Sequence, residues 1–345
     1  MPMKNILLVY GGGGTEHAIS KVSSKYIEET LKSLKNYRVL YVEMMADGNF
    51  ILNLESETFQ LQLHRPFNTK KCCAHIIDSK GALYEKVELD LAIPCIHGPP
   101  GETGDIQSLF EFFSLPYIGC GPEASKICFN KVSSKLWFNA LGIPNTPFMF
   151  LSSMDRIDEV YTFFKNSGEE VFIKAASQGS SVGCYYVNDA SQIEEKLREA
   201  FKFSSYVLIE RKIVGRELEI SAYEYRGEVH TTVPGEIICP SQFYSFEEKY
   251  NQKSQTTTTI EAQGLKQAEI DRLRSIAKQA FTQLKLRHLS RVDFFFTQKG
   301  DIYLNEINTF PGMTPISMFP KMMEHGGLPF AQFLEDIISS TLLEK

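Results

Sequence analysis

Residues 291–318 read R-V-D-F-F-F-T-Q-K-G-D-I-Y-L-N-E-I-N-T-F-P-G-M-T-P-I-S-M, and the fold follows from how this stretch is parsed. Arg291 to Phe296 and Ile302 to Asn308 are rich in β-branched and aromatic residues and flank the polar turn Gln298-Lys299-Gly300-Asp301, which predicts a hairpin. Residues two apart share a strand face, so Arg291 lies with Asp293, and Glu306 with Asn308. If both pairs occupy the same side, two carboxylates, an amide and a guanidinium converge. Hard oxygen ligands, with no Cys or His among them, suit Mg²⁺ held jointly with phosphates. For any one of these charges taken alone, a solvated charged face is the better account. The run Thr309-Phe310-Pro311-Gly312-Met313-Thr314-Pro315 that follows is rigid and turn-rich, and such loops are where binding residues concentrate.

The chain has 345 residues, 43% hydrophobic and 23% charged, enough for two or three domains with sizeable cores. A formal net charge of -6 gives no electrostatic case for nucleic acid, and a small ligand is the better expectation. Met1 to Tyr10 is too short for a signal-peptide apolar region, and no stretch approaches the length of a transmembrane helix, so no membrane association is expected. Seven cysteines without ligand-like spacing read as reduced thiols of a cytoplasmic protein.

Ile6 to Tyr10 is an apolar strand that enters Gly11-Gly-Gly-Gly14-Thr15-Glu16-His17 and then a helical run to about Lys35. The glycines lack the phasing of a dinucleotide fingerprint. Glu16 fits a helix N-terminal acid favoured by the dipole. Residues 36–90 look like strands alternating with polar turns, among them Arg38–Val42, Phe50–Leu52 and Gly81–Tyr84. A second apolar strand, Leu89 to Ile96, enters the glycine loop His97 to Gly104, and a helix with an acidic start follows at Asp105. His97 reads equally as a satisfied structural histidine. Leu115 to Pro122 is a strand and turn suited to a domain boundary near residue 120.

Ala124 to Lys135 is helical, and a lysine such as Lys131 on a helix is usually on a solvated face. Val171 to Ala175 and Cys184 to Val187 are strands around Gly179-Ser180-Ser181-Val182-Gly183, whose amides and hydroxyls can wrap phosphate oxygens, while Lys174 supplies a point charge. No Walker A loop exists in the chain. Val207 to Ile220 reads as strand, linker, strand, a second boundary. Ser241 to Thr259 is polar, long and aperiodic, which is the composition of a lid. Gln267 to Leu286 is an amphipathic helix that returns the chain to Arg291.

The run N-E-I-N-T-F-P-G-M-T-P-I-S-M-F-P resembles the C-terminal signature of the D-alanine--D-alanine ligases, members of the ATP-grasp superfamily, and at least six ordered motifs extend the resemblance from Glu16 to Pro320. It implies a mixed α/β, three-domain ATP-grasp fold: a Rossmann-like N-terminal substrate domain (1–120), a central subdomain with the phosphate loop (121–214), and a C-terminal subdomain with lid and metal site (215–345). It also implies ATP and two Mg²⁺ (or Mn²⁺) as cofactors, two D-alanines as substrates and a homodimer.

By the same resemblance Lys131, Lys174 and Ser181 bind phosphates, Glu210, Ile213 and Glu217 take adenine and ribose, and the lid pair Lys249-Tyr250 closes over them. Tyr250 bonds toward Glu16 and Ser180. Glu16 holds an ammonium; His97, Ser317 and Met318 line the second-substrate pocket; Arg291 and the Gly312 amide hold an oxyanion. Asp293, Glu306 and Asn308 hold the metals. The activity implied is ATP-dependent ligation of two D-alanines through an acyl phosphate, for peptidoglycan precursors. The rivals are a ligase taking D-lactate or D-serine, and a nucleotide-binding regulator without activity. Tyr250 in place of His speaks for an amine acceptor. Gly14, Ala18, Thr103 and Glu261 depart from the family pattern, which usually has Ser, Glu, Asp and Pro there.

Overall fold

In the computed structural model, which describes residues 3–66, 71–238 and 256–343, each of three sheets is built from one contiguous stretch of chain. The first comprises β1 (Lys4–Gly11), β2 (Tyr37–Met44), β3 (Phe50–Leu54), β4 (Glu57–His64), β5 (Cys73–Ile77), β6 (Leu83–Glu88) and β7 (Leu91–Cys95), with α1 (His17–Leu34) between β1 and β2. Their spatial order is β6-β5-β4-β3-β2-β1-β7. Strand β1 is parallel to β2 and β7, and β2 to β6 form an antiparallel meander. The resemblance to a Rossmann sheet is therefore confined to β2-β1-β7. Ile6 to Val9 are wholly buried, as a strand covered on both faces requires.

After α2 (Asp105–Phe112), the run read as one helix is two, α3 (Pro122–Phe129) and α4 (Lys131–Ala140). Asn130 is extended and its side chain accepts from the Ser133 amide at 2.9 Å, capping α4. Residues 115–122 contribute an isolated bridge from Tyr117 to Ala92 rather than a strand. The second sheet contains β8 (Phe148–Leu151), β9 (Val171–Ala175), β10 (Cys184–Val187) and β11 (Val207–Arg211), ordered β10-β9-β11-β8 and antiparallel throughout. Helices α5 (Ile157–Asn166) and α6 (Ile193–Phe201) pack on it; α6 does so through Ile193, Leu197 and Ala200 at helical spacing.

The third sheet holds β12 (Arg216–Tyr225), β13 (Glu228–Thr231), β14 (Gly235–Ile238), β15 (Thr257–Thr259), β16 (Leu289–Phe296) and β17 (Ile302–Asn308). Its order is β15-β14-β12-β16-β17, with β13 on β12. Thr257 to Thr259, read with the long polar loop, pair with β14. Helix α7 (Gln267–Gln283) covers this sheet, and α8 (Met318–His325) and α9 (Phe330–Leu343) end the described chain.

Two packing facts position the site. Helices α3 and α4 precede the second sheet but pack on the third, where Ala124, Cys128, Phe138 and Ile143 share a core with Leu218, Val292 and Leu304. A second core joins Ile6, Leu8 and Ile27 of the first unit to Phe310, Met313, Phe319 and Phe333. His288, buried beside it, is a strut. Its Nδ1 accepts from the Gly119 amide at 2.9 Å and its Nε2 lies 3.1 Å from the Thr341 hydroxyl. Burial and then Arg287 push its pKa down to about 3, which keeps it neutral. Among the described residues no helix is long and apolar enough to cross a membrane.

Candidate active site

The hairpin β16–β17 forms in the register that its residues require: Asp293 is opposite Glu306, and Arg291 is opposite Asn308. Arg291 donates through Nε and Nη2 to both oxygens of Asp293 at 2.8 Å and pairs with Glu219 at 3.1 Å. Burial works against its charge, but Asp293 and Glu219 outweigh it and hold the guanidinium above its ordinary pKa. The Asn308 amide nitrogen donates to Asp293 at 3.0 Å. Asp293, Glu306 and the Asn308 carbonyl thus make an oxygen-only donor set on one sheet face, which fits a hard divalent cation and excludes a soft one. Among the described residues no three His, Cys, Asp or Glu gather as metal ligands, as expected when the third donor is an amide.

Above this face lie the cations. Lys131, at the first turn of α4, donates to the Gln178 carbonyl at 2.8 Å and lies 3.8 Å from Glu306. Lys174, near the end of β9, meets Glu210 at 2.6 Å. Glu210 also meets Lys135 at 2.7 Å and accepts from the Thr146 hydroxyl. Lys135 and Glu210 are only 1% and 2% exposed, so this is a buried triad of two ammoniums and one carboxylate. Burial raises the Glu210 pKa, but the two lysines overcome it and hold the carboxyl well below its usual range. Three donors leave one acceptor position on Glu210. Lys135 has no site role in the sequence reading; the available signal was its four-residue spacing from Lys131, which puts both on one face of α4.

The loop between β9 and β10 carries Ser180 and Ser181 at φ 49° and 61°. Two successive left-handed residues cost about 1–3 kcal/mol each, a price met typically at functional loops. Ser180 Oγ donates to Glu16 at 2.6 Å. Glu16 stands before α1 but makes no side-chain cap bond there, and its carboxylate faces the β9–β10 loop. A Cβ on Gly98 would approach that carboxylate to 3.1 Å, which leaves the His97 loop close beside it.

His97 is buried; its Nε2 bonds the Ser23 hydroxyl at 2.8 Å and its amide donates to Ser20 Oγ at 2.8 Å. Burial lowers its pKa, against the pull of Glu16, and keeps it neutral. Glu102, 4.0 Å from His97, has its pKa raised to about 8 by burial and then by the Glu16 charge. Ser317 Oγ accepts from the Thr314 amide at 3.1 Å, and a Cβ on Gly312 would sit 2.9 Å from that hydroxyl, so the Gly312 amide and Ser317 are neighbours. Met318 is buried against Gly235 of β14 and forms wall rather than open surface.

Ile213 lies in the linker from β11 to β12, and Glu217 is the second residue of β12. Lys249 and Tyr250 lie outside the described residues. The departures have local roles: Ala18 is exposed on α1, Thr103 donates to Asp105 at 2.5 Å, and Glu261 pairs with His325 at 3.2 Å.

Residues 5–120 match the D-ala D-ala ligase N-terminus and residues 137–339 the D-ala D-ala ligase C-terminus. A D-alanine--D-alanine ligase of Tolumonas auensis is 50% identical over 342 residues, 98% of each chain. Among solved structures, the D-alanyl-alanine synthetase A of Vibrio cholerae superposes with a TM-score of 0.86 at 45% identity over 99% of each chain. A D-Ala:D-Ser ligase of Enterococcus faecalis has the same TM-score, 0.86, at 24% identity over 98% of this chain and 99% of its own, which shows a shared fold alone. By sequence over 98% of its length and by fold, this chain belongs to the D-alanine--D-alanine ligase family.

Proposed function

We propose that the protein is a D-alanine--D-alanine ligase, which uses ATP to join two D-alanines for cell-wall synthesis. The observation that carries the assignment of the site is the 2.6 Å bond between Ser180 of the phosphate loop and Glu16 before α1, 164 residues apart in the chain. It sets an ammonium anchor beside the place where a γ-phosphate is held.

ATP and an amino-acid carboxylate are both anionic, so their approach needs neutralisation. Lys131 and Lys174 supply it, and Ser181 with the loop amides wraps the phosphates. Asp293, Glu306 and Asn308 would hold Mg²⁺ or Mn²⁺, which when bound adds charge neutralisation to the same phosphates. Glu210, through its remaining acceptor position, the Ile213 backbone and Glu217 receive adenine and ribose. Glu16 holds the first ammonium while the first carboxylate attacks the γ-phosphorus of ATP, which gives an acyl phosphate and releases ADP.

The second D-alanine, with its carboxylate at Ser317 and its flank against His97 and the Met318 wall, attacks that carbonyl through its deprotonated amine, and inorganic phosphate leaves as the peptide bond forms. Arg291 and the Gly312 amide hold the oxyanion, one such donor being worth about 3–4 kcal/mol. Alignment of two small zwitterions contributes roughly 7–11 kcal/mol more. Lys249 and Tyr250 close the site in this reading.

We also propose the division 1–120, 121–214 and 215–345, with α3–α4 shared between the second and third units. A cytoplasmic homodimer that binds neither nucleic acid nor membrane completes the reading. The decisive experiment is phosphate release from Mg²⁺-ATP with D-alanine, L-alanine, and D-alanine plus D-lactate or D-serine, with product mass. The expected product is the D-alanyl dipeptide from D-alanine alone. A mixed product in preference to it transfers the chain to the related ligases, and no stimulation by any D-amino acid makes it a nucleotide-binding regulator.

A further inference from the structure

Ser23 lies at the centre of a hydrogen-bonded ring that no catalytic role has absorbed. It sits on α1, fully buried, one turn beyond Ser20. Its Oγ is 2.8 Å from His97 Nε2 and accepts from the Met313 amide at 3.3 Å. The Phe310 carbonyl in turn accepts from the imidazole.

Proton counting fixes the directions. A neutral imidazole has one N–H, and the Phe310 carbonyl takes it, so Nε2 is left as an acceptor. Ser23 has one proton, and the only role consistent with both neighbours is to accept from Met313 and donate to Nε2. The path then runs Met313 N–H to Ser23, Ser23 O–H to His97, and His97 N–H to Phe310. It closes on both ends of the segment Phe310-Pro311-Gly312-Met313.

We infer that Ser23 is a positioning residue, which with His97 clamps both ends of the Gly312 loop and so sets the direction of the Gly312 amide. This rests on the reading of that amide as an oxyanion donor. Ser23 touches no substrate. It acts through the loop, and one side chain on the first unit thereby registers the second-substrate wall, His97, with a donor carried by the third. Removing the hydroxyl leaves the Met313 amide and His97 Nε2 without a partner in a buried place, where such groups are costly.

Three variants at this position separate clamping from packing. Ser23→Ala removes the hydroxyl, Ser23→Thr retains it, and Ser23→Cys keeps the volume with a weak hydrogen-bonding group. For Ala and Cys the expected result is a fall in kcat of about 10- to 100-fold, up to the loss of one oxyanion donor, with the KM for ATP unchanged. Thr should recover most of the loss. Hydrogen exchange of the 310–313 segment supplies a readout independent of turnover: protection should fall in Ala and Cys and return in Thr. Unchanged protection and kcat in Ser23→Ala, or equal damage by Ala and Thr, overturns the inference. A parent enzyme that shows the protection pattern but no D-alanine-dependent phosphate release overturns instead the functional reading on which it rests.

Discussion

Glu306 and Glu102 are both carboxylates of the same cleft, set in different surroundings. Glu306 lies 3.8 Å from Lys131 and opposite Asp293 in the hairpin. Glu306→Gln keeps the shape and removes the charge, so kcat should fall by at least about 100-fold while the melting temperature stays within a few degrees. Retained kcat would sink the assignment of Glu306 to the metal site. Glu102 is held protonated, with a pKa raised from 4.5 to about 8. A raised carboxyl contributes stability that is fully present below pH 4.5 and is lost as pH climbs through about 8. Relative to its parent, Glu102→Gln should therefore gain melting temperature progressively between those limits and level off above them; a pH-independent difference would contradict the shift. Lys174, Asp293 and Glu306 could be grouped because a lysine beside a glycine loop and carboxylates on alternate strand positions define a shared neighbourhood, whereas Lys131, on a helix, was reached only through the family resemblance. Lys135 and Ser23 were not reached at all, since helical spacing says which residues share a face and not which face is buried.

At the scale of elements, the break between α3 and α4 has a consequence that one continuous helix would lack. Asn130 caps α4 through its carbonyl oxygen and donates through its amide to the Ser177 hydroxyl at 2.8 Å, so the helix that aims Lys131 is pinned to the strand end that carries Lys174. Asn130→Ala should cost about 1 kcal/mol from the cap and raise the KM for ATP several-fold, leaving the KM for D-alanine near its parent value. Equal effects on both substrates would place the loss in general stability. The hairpin β16–β17 was readable because period-two alternation and a glycine turn coincide. The α3–α4 break was not, because Phe129-Asn130-Lys131 continues an acceptable helical pattern and only tertiary contact selects the extended Asn. Strand β15 is three threonines, and its pairing with β14 depends on a neighbour the local sequence does not specify.

For the whole molecule, the core that joins Ile6 and Leu8 to Phe319 and Phe333 makes the first and third units one folding body. His288 reports on its integrity. With a pKa depressed to about 3, it contributes stability that is present above the ordinary histidine range near 6.5 and lost as pH falls toward 3. His288→Asn, a residue that tolerates the left-handed φ of 62° there, should destabilise the protein at pH 7 by about 1–3 kcal/mol. It should also flatten the acid limb of the stability curve. Separate melting of the two units in the parent would refute the shared core. The parallel arrangement β2-β1-β7 and the division into sheets follow from local pattern, whereas the return of α9 to the first unit is a long-range event that no window of sequence records.

The packing of α3–α4 on the third sheet gives the second sheet an unusual mechanical standing. Its chain leaves the main body near Pro144 and returns near Gly215, so β8 to β11 with α5 and α6 are borne on two neighbouring crossings. Between the crossings lies the contact from Lys135, on α4, to Glu210, on β11. That buried ion pair ties β11 of the second sheet to a helix seated on the third, so Glu210, the partner of Lys174, is anchored in the third unit as firmly as in its own.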